Sequence, residues 1–318
     1  CHGKKLATLF FEPSTRTRLS FEAARIASDK MLMKERYEAG GVRSARFRRV
    51  GLEEDPRQAV RELAYPLIFK AVDSSGSRGI TRVNDPSGIP GAVEAVKATT
   101  RKDYYIVEEF LEGEEFGAQA FVYDGKLQFV LPHGDYVFMG DTGGPVGHFA
   151  PYELSPQAAA DVYDQTERAI RAMKLDNCAI NADFIMKDGK TYVLEIGGRS
   201  GATCLAELVS IYYGYGYYEK IIQAALGESP RFPQDQAVPN ASRLLMSDRD
   251  GVIRSIANHN GPDENIYEIM FDYTVGDPVK KFHVGPNRIG HVITRGTTLQ
   301  EATDALQRAM DRIEIIVE

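Results

Sequence analysis

Apolar and polar positions along this chain follow two periods. In "FGAQAFVYDGKLQFVLP" (116–132) and "AINADFIMKDGKTYVLEIGG" (179–198) they alternate, and each stretch carries a central Asp-Gly pair. Asp-Gly between alternating runs predicts a tight β-hairpin, because both turn residues must take positive φ. Shorter apolar runs at "YPLIFKAV" (65–72), "ITRV" (80–83) and "DYYIVEEF" (103–110) predict further strands. Helical spacing governs "LSPQAAADVYDQTERAIRAMKL" (154–175), where Ser155 caps, Pro156 opens and Val162, Ala169, Ile170 and Met173 share a face. Near the end, Thr298 and Glu301 form a capping box ahead of a stripe of Leu299, Ala302, Ala305, Leu306 and Ala309. A helix is expected after Ser28, closed by Gly40-Gly41. The proline-rich "SPRFPQDQAVP" (229–239) reads as a linker, and "HGDYVFMGDTGGPVGHFAP" (133–151) as a long Gly-rich loop. The fold class is therefore α/β (α+β), with antiparallel hairpins.

Composition narrows the function classes. The 318 residues carry a net charge of −7, which disfavours nucleic acid and anionic membrane as partners. No apolar run is long enough to span a bilayer. Three cysteines (Cys1, Cys178, Cys204) lack metal-ligand spacing and cannot build a disulfide framework, which points to a reducing cytoplasm.

Three groups of residues suggest chemistry. Lys70 ends a strand ahead of a loop holding Ser74, Ser75, Gly76, Ser77 and Gly79, a composition able to follow phosphates with backbone N–H groups. Asp183 and Glu195 stand on the two strands of one predicted hairpin, five residues before and six after its Asp-Gly turn. Two carboxylates side by side in apolar strands suit a hard cation held through oxygen. In "VEEFLEGEEF" (107–116), Glu108 and Glu115 flank a kink at Gly113 and could accept hydrogen bonds from a nucleotide's amino and hydroxyl groups. His133 and His148, with Asp135, are candidate substrate contacts from the loop.

"GKKLATLFFEPSTRTRLSFEAA" (3–24) resembles the carbamoyl-phosphate loop of aspartate carbamoyltransferases. By that resemblance Ser14, Thr15, Arg16 and Thr17 would cradle a phosphate, at a helix start that favours anions. The rest of that family's pattern does not follow.

From residue 28 the order of segments resembles the ATP-grasp superfamily of ADP-forming ligases. That likeness implies two lobes whose antiparallel sheets clasp a nucleotide, plus a C-terminal lobe. "SDKMLMK" matches its first ATP-contacting lysine, Lys30, and "FKAVDSSGSRGI" its second, Lys70, with the phosphate loop. "EEFLEGEEF" matches the hinge, implying adenine on Glu108 and the Leu111 backbone and ribose on Glu115. "NADF…LEIGGRSG" implies Mg2+ (or Mn2+) on Asp183 and Glu195, and Arg199 on the transferring phosphate. Gly197 departs from the family, which usually has Asn there.

The expected division is a carbamoyltransferase-like fragment (1–27), an ATP-grasp domain (28–230) and a C-terminal lobe (231–318). The family's usual N-terminal lobe is missing ahead of "SDK", so the chain reads as a truncated ligase joined to a foreign segment. The resemblance implies an ATP-dependent carboxylate–amine ligase that passes through an acyl phosphate, with Lys70 and Arg199 as catalytic residues. Small-molecule carboxylate and amine partners follow, and a homo-oligomer is compatible. The alternatives are a non-catalytic ATP-binding module and, from residues 3–24 alone, a carbamoyltransferase.

Overall fold

The computed structural model describes residues 26–74, 79–139 and 144–318. The carbamoyltransferase-like segment, with Ser14, Thr15, Arg16 and Thr17, lies outside them, as do Ser75, Gly76 and Ser77. Helix α1 (Lys30–Ala39) is capped by Asp29, one residue beyond the expected Ser28. Asp29 wins because its Oδ1 accepts from the N–H groups of Met31 and Leu32, while Oδ2 takes the Tyr104 hydroxyl at 2.6 Å.

A four-stranded antiparallel sheet follows, in the order β1-β4-β2-β3: β1 is Phe47–Gly51, β2 Leu67–Lys70, β3 Ile80–Val83 and β4 Tyr104–Glu109. Helix α2 (Pro56–Ala59) lies between β1 and β2, and α3 (Ile89–Lys97) covers one face. Gly79 has a positive φ of 66°, and a Cβ there would press on Thr99 and Ala71, so only glycine closes this turn.

An eight-stranded antiparallel sheet forms the body. β5 (Glu114–Tyr123) and β6 (Lys126–Val137) make the first expected hairpin, and β8 (Cys178–Lys187) and β9 (Lys190–Gly197) the second. Both Asp-Gly turns have positive φ at both residues, as the turn type requires. The long loop expected at 133–151 is instead mostly strand: β6 runs on to Val137, and β7 (Pro145–Ala150) returns against it. Its polar residues obscured the pattern because they line a cleft and do not face bulk solvent.

Helix α4 (Pro156–Met173), capped by Ser155, buries Val162, Ala169, Ile170 and Met173 on one face of this sheet against Phe116, Ala118, Ala120, Ala182, Phe184 and Ile196. On the other face, α5 (Leu205–Tyr213) and α6 (Tyr217–Ala225) cover Phe121, Phe129 and Ala179. The tyrosine-rich segment belongs to this packing, with Tyr213 and Tyr217 against Phe129. Beyond the linker, β10 (Asn240–Leu245) pairs with β7, followed outward by β14 (Gly290–Arg295) and β12 (Ile266–Phe271). Strands from either side of residue 231 thus share one sheet. A three-stranded sheet of β13 (Pro278–Val279), β11 (Gly251–Asn258) and β15 (Ile313–Val317) stands beside it, and α7 (Leu299–Asp311) packs through Ala302, Ala305, Leu306 and Ala309. No helix among the described residues is long and apolar enough to cross a membrane.

Asp29 fixes both the start of α1 and its attachment to β4. Asp29→Ala should cost about 2 kcal/mol, and Tyr104→Phe about 1 kcal/mol, in urea denaturation. Equal stability of Asp29→Ala and the parent would show that the cap is dispensable.

Candidate active site

Antiparallel register lines polar side chains into a row. Glu195 on β9 stands opposite Asp183 on β8, Asp183 opposite Gly117 on β5, and Gly117 opposite His133 on β6. Directly opposed residues share a face, and successive residues alternate, so 115, 117 and 119 turn away from the α4 core. Gly117 is an opening in the row: a Cβ there would overlap the His133 imidazole, which lies across it. Two residues before Asp183 on β8, Asn181 faces both Gln119 and Gly197.

These groups are joined by a directed hydrogen-bond chain. The Gly201 N–H donates to Gln119 Oε1 at 2.8 Å, which fixes the amide so that its Nε2 donates to Asn181 Oδ1 at 2.6 Å. The same Nε2 lies 3.3 Å from His133 Nε2. His133 Nδ1 and His148 Nδ1 both meet Asp135 Oδ1, at 3.0 and 2.6 Å. Both imidazoles are buried, whereas the Asp135 side chain is 31% exposed. The two histidines expected to meet substrate from a loop are therefore strand residues that carry Asp135 between them.

Charge is crowded here. Asp183 has its acid raised to about 7, first by burial and then by the negative charges of Glu195, Asp135 and Glu115, with Arg199 opposing. Glu115 sits at the open side, its acid pushed up by partial enclosure and by Asp135, while Lys70 pulls it down. Asp135 is held well below the usual carboxylate range: burial opposes this, but the two imidazoles outweigh it. Arg199 is exposed, its Nη1 donating to the Ser200 carbonyl.

The four-stranded sheet contributes a second cluster. Glu108 on β4 is 3% exposed, and Lys70 on β2 donates to its Oε2 at 3.0 Å. Lys34 on α1 lies 3.4 Å from the same oxygen without the alignment of a hydrogen bond. Burial would raise the Glu108 acid, yet Lys34 and Lys70 together hold it below its ordinary value. Burial lowers the Lys34 ammonium, with Glu108 opposing and Lys70 adding to the shift. Tyr37, fully buried, bridges the two clusters: after burial, the charges of Glu195, Asp183 and Glu108 push its hydroxyl well up. Lys70 influences Glu115 as well, so both sheets look onto one cleft.

The structure thus brings together Lys70, Glu108, Glu115, Asp183, Glu195 and Arg199. Glu108 is turned to two lysines and not left open for an adenine amino group. Leu111 is half-buried just beyond β4, whose continuation is fixed by the Phe110 N–H on the Pro66 carbonyl. Lys30 takes the Ser74 carbonyl through Nζ at 2.6 Å, at the base of the expected phosphate loop. Sequence reasoning missed Lys34, Gln119 and Asn181. Lys34 lies one turn beyond Lys30 and in line with Tyr37, and that helical spacing was the available signal. Arginines at 43–49 tie elements together: Arg43 to Asp161 and the Thr191 carbonyl, Arg46 to Glu109.

Comparison with known proteins bears on the family and the fold. Residues 63–207 match the family described as ATP-grasp domain, and residues 243–318 match L-amino acid ligase C-terminal domain 2. The chain is similar to alanine–anticapsin ligase of Bacillus subtilis (strain 168), 26% identical over 199 residues, covering 56% of this chain and 42% of that one. It is 28% identical over 195 residues to D-alanine–D-alanine ligase of Geobacter sulfurreducens, covering 59% of this chain and 60% of that one. It therefore spans only part of the length of these curated relatives. Among solved structures, phosphoribosylglycinamide synthetase from Anaerococcus prevotii superposes with a TM-score of 0.80 at 36% identity, over 93% of this chain and 76% of that chain. Both family matches begin downstream of residues 3–24.

Two stability experiments probe the electrostatics. Glu108→Gln leaves a buried ammonium without its counter-charge and should cost about 3 kcal/mol at pH 7, read by denaturant unfolding. The Asp183 acid is raised when folded, so its contribution is complete below the unfolded value of about 4 and is lost as pH rises through about 7. Between pH 5 and pH 8.5 the metal-free parent should lose on the order of 2 kcal/mol more stability than Asp183→Asn. Parallel pH profiles would contradict the raised acid.

Proposed function

Because the chain belongs to the ATP-grasp family, we propose that it is an ATP-dependent carboxylate–amine ligase that releases ADP and phosphate. One observation carries the reading: Asp183 and Glu195 stand opposed on one hairpin, in the same cleft as Lys70. Facing carboxylates fit a hard divalent cation, and a cation bound there would offset the burial and like charges that raise the Asp183 acid. Mg2+ would be held by these two side chains and, when bound, supplies positive charge against the transferring phosphate.

The chain's own residues divide the remaining work. Lys70 and Lys30 neutralise phosphate oxygens, and Glu108, anchored by the buried Lys34, positions Lys70, a role in place of the adenine contact. Glu115 and the Leu111 backbone take the ribose and adenine, and the phosphates fall to the segment of Ser74, Ser75, Gly76, Ser77 and Gly79, whose composition suits contacts from backbone N–H groups. Arg199 meets the charge that develops as the γ-phosphoryl group moves. A carboxylate substrate attacks that phosphorus and displaces ADP; an amine then attacks the acyl carbon and displaces phosphate. Substrate specificity and a homo-oligomeric state belong to the same proposal. So does a cytoplasmic setting, which the free Cys178 and Cys204 support.

A nucleotide-binding module without turnover is the second reading, favoured by Gly197, where the cleft lacks the usual amide. ATP-dependent phosphate release, assayed with pooled amino acids and Mg2+, separates the two. Lys70→Ala should weaken ATP binding by about 1.5–3 kcal/mol through loss of a charge-assisted contact. Glu195→Gln should abolish phosphate release with an unchanged melting temperature. An unaltered ATP affinity in the first variant, or full turnover at limiting Mg2+ in the second, refutes the assignment.

A further inference from the structure

We propose that Asp135 is an ammonium-binding subsite of the cleft, presented by two buried histidines to a protonated amine of a substrate. The inference rests on the ligase reading for its context and on this chain's own geometry for its chemistry. Both imidazole contacts fall on Oδ1, and the described residues supply no hydrogen bond to Oδ2. Oδ2 is thus left without a partner among the described residues, on a side chain that is partly exposed and carried by a β-strand.

Its surroundings call for a cation. Asp135, Asp183 and Glu115 act on one another as like charges. In a cleft meant to receive a triphosphate, a permanent negative charge is unfavourable unless something positive accompanies it. Lys70 is engaged by Glu108. Mg2+ held by Asp183 would not also be ligated by Asp135, because β6 lies two strands from β8, about 10 Å across the sheet.

A divalent ion bound by the trio itself is the competing occupant, since the ligand atoms of His133, Asp135 and His148 all lie within 4.8 Å of one another. The hydrogen-bond directions oppose it. Metal on the two Nδ1 atoms would put the proton of His133 on Nε2, facing the Nε2 amide group of Gln119, donor against donor. Gln119 cannot turn over, because Gly201 N–H and Asn181 Oδ1 hold its two ends. With protons on both Nδ1 atoms every contact is a proper donor–acceptor pair, and His133 Nε2 accepts from Gln119. The network is built to hold a carboxylate ionised. Asp135 binds and orients; its weak basicity leaves the amine's proton to solvent, and the ligation step itself is unchanged.

The ammonium can come from the amine that attacks or from an amino acid that supplies the carboxylate. Glycinamide, an amine without a carboxylate, is the probe for calorimetry. Asp135→Asn keeps an Oδ1 for both imidazoles, and its melting temperature checks the fold. We expect its glycinamide affinity to fall at least tenfold; an unchanged affinity overturns the proposal. So does saturable Zn2+ binding that needs all three side chains in a parent that ignores glycinamide. In turnover with pooled amino acids, hydroxylamine serves as a largely uncharged nucleophile. A hydroxamate-to-amide ratio raised at least tenfold in Asp135→Asn assigns the subsite to the attacking amine, and a joint tenfold loss of both products assigns it to the carboxylate donor. Absence of ADP release from the parent in every arm defeats the ligase reading, while glycinamide binding still judges the subsite.

Discussion

The pairing of β5 with β6 on one side and β8 on the other is the constraint from which the site follows. A strand offers two faces, and here one is committed to α4 through Phe116, Ala118 and Ala120. The alternate residues, Glu115, Gly117 and Gln119, have no choice but to turn into the cleft. A slip of one residue would bury Glu115 under α4 and expose Phe116, so the hydrophobic core fixes the register of the polar row. The same register delivers Asp183 and Glu195 from the next hairpin and His133 from the other side.

Burying so much charge is costly, and the fold meets the cost by pairing. Glu108 would be untenable at 3% exposure alone, and Lys34 equally so. Together with Lys70 they hold α1, β2 and β4 in a single arrangement, with two ammonium groups drawn to one carboxylate. Around Asp183 the charges are alike, and the raised acid records the imbalance. Two carboxylates in one cleft are thus treated oppositely: Glu108 is held in an ion pair, and Asp183 is crowded by like charges.

The C-terminal part is not an appendage to this arrangement. β10 pairs with β7, the strand that carries His148, and places Ser242 opposite that histidine. Its Oγ accepts from the His148 N–H at 3.4 Å, so the C-terminal part of the chain helps to hold the cleft wall. At Gly197 the register sets Asn181 across the hairpin, an amide on the neighbouring strand and beside Asp183.

Local signals in the sequence determined the elements. The two Asp-Gly turns, the Ser155 cap with Pro156, and the capping box at Thr298 act over four or five residues, and their geometry depends on nothing distant. The hairpin that carries Asp183 and Glu195 was legible for the same reason, but not their opposition: the turn alone would set Leu194 against Asp183, and a bulge beside Asp183 brings Glu195 there. The extent of β6 and β7 was not, because cleft-lining residues such as His133, Asp135 and His148 resemble loop residues in composition. Tertiary structure alone decided which charges meet. Lys34 reaches Glu108 across 74 positions, and Gln119 reaches Asn181 across 62. A buried charge chooses its partner by proximity after the chain has packed, and proximity between distant segments leaves no periodic trace in the sequence.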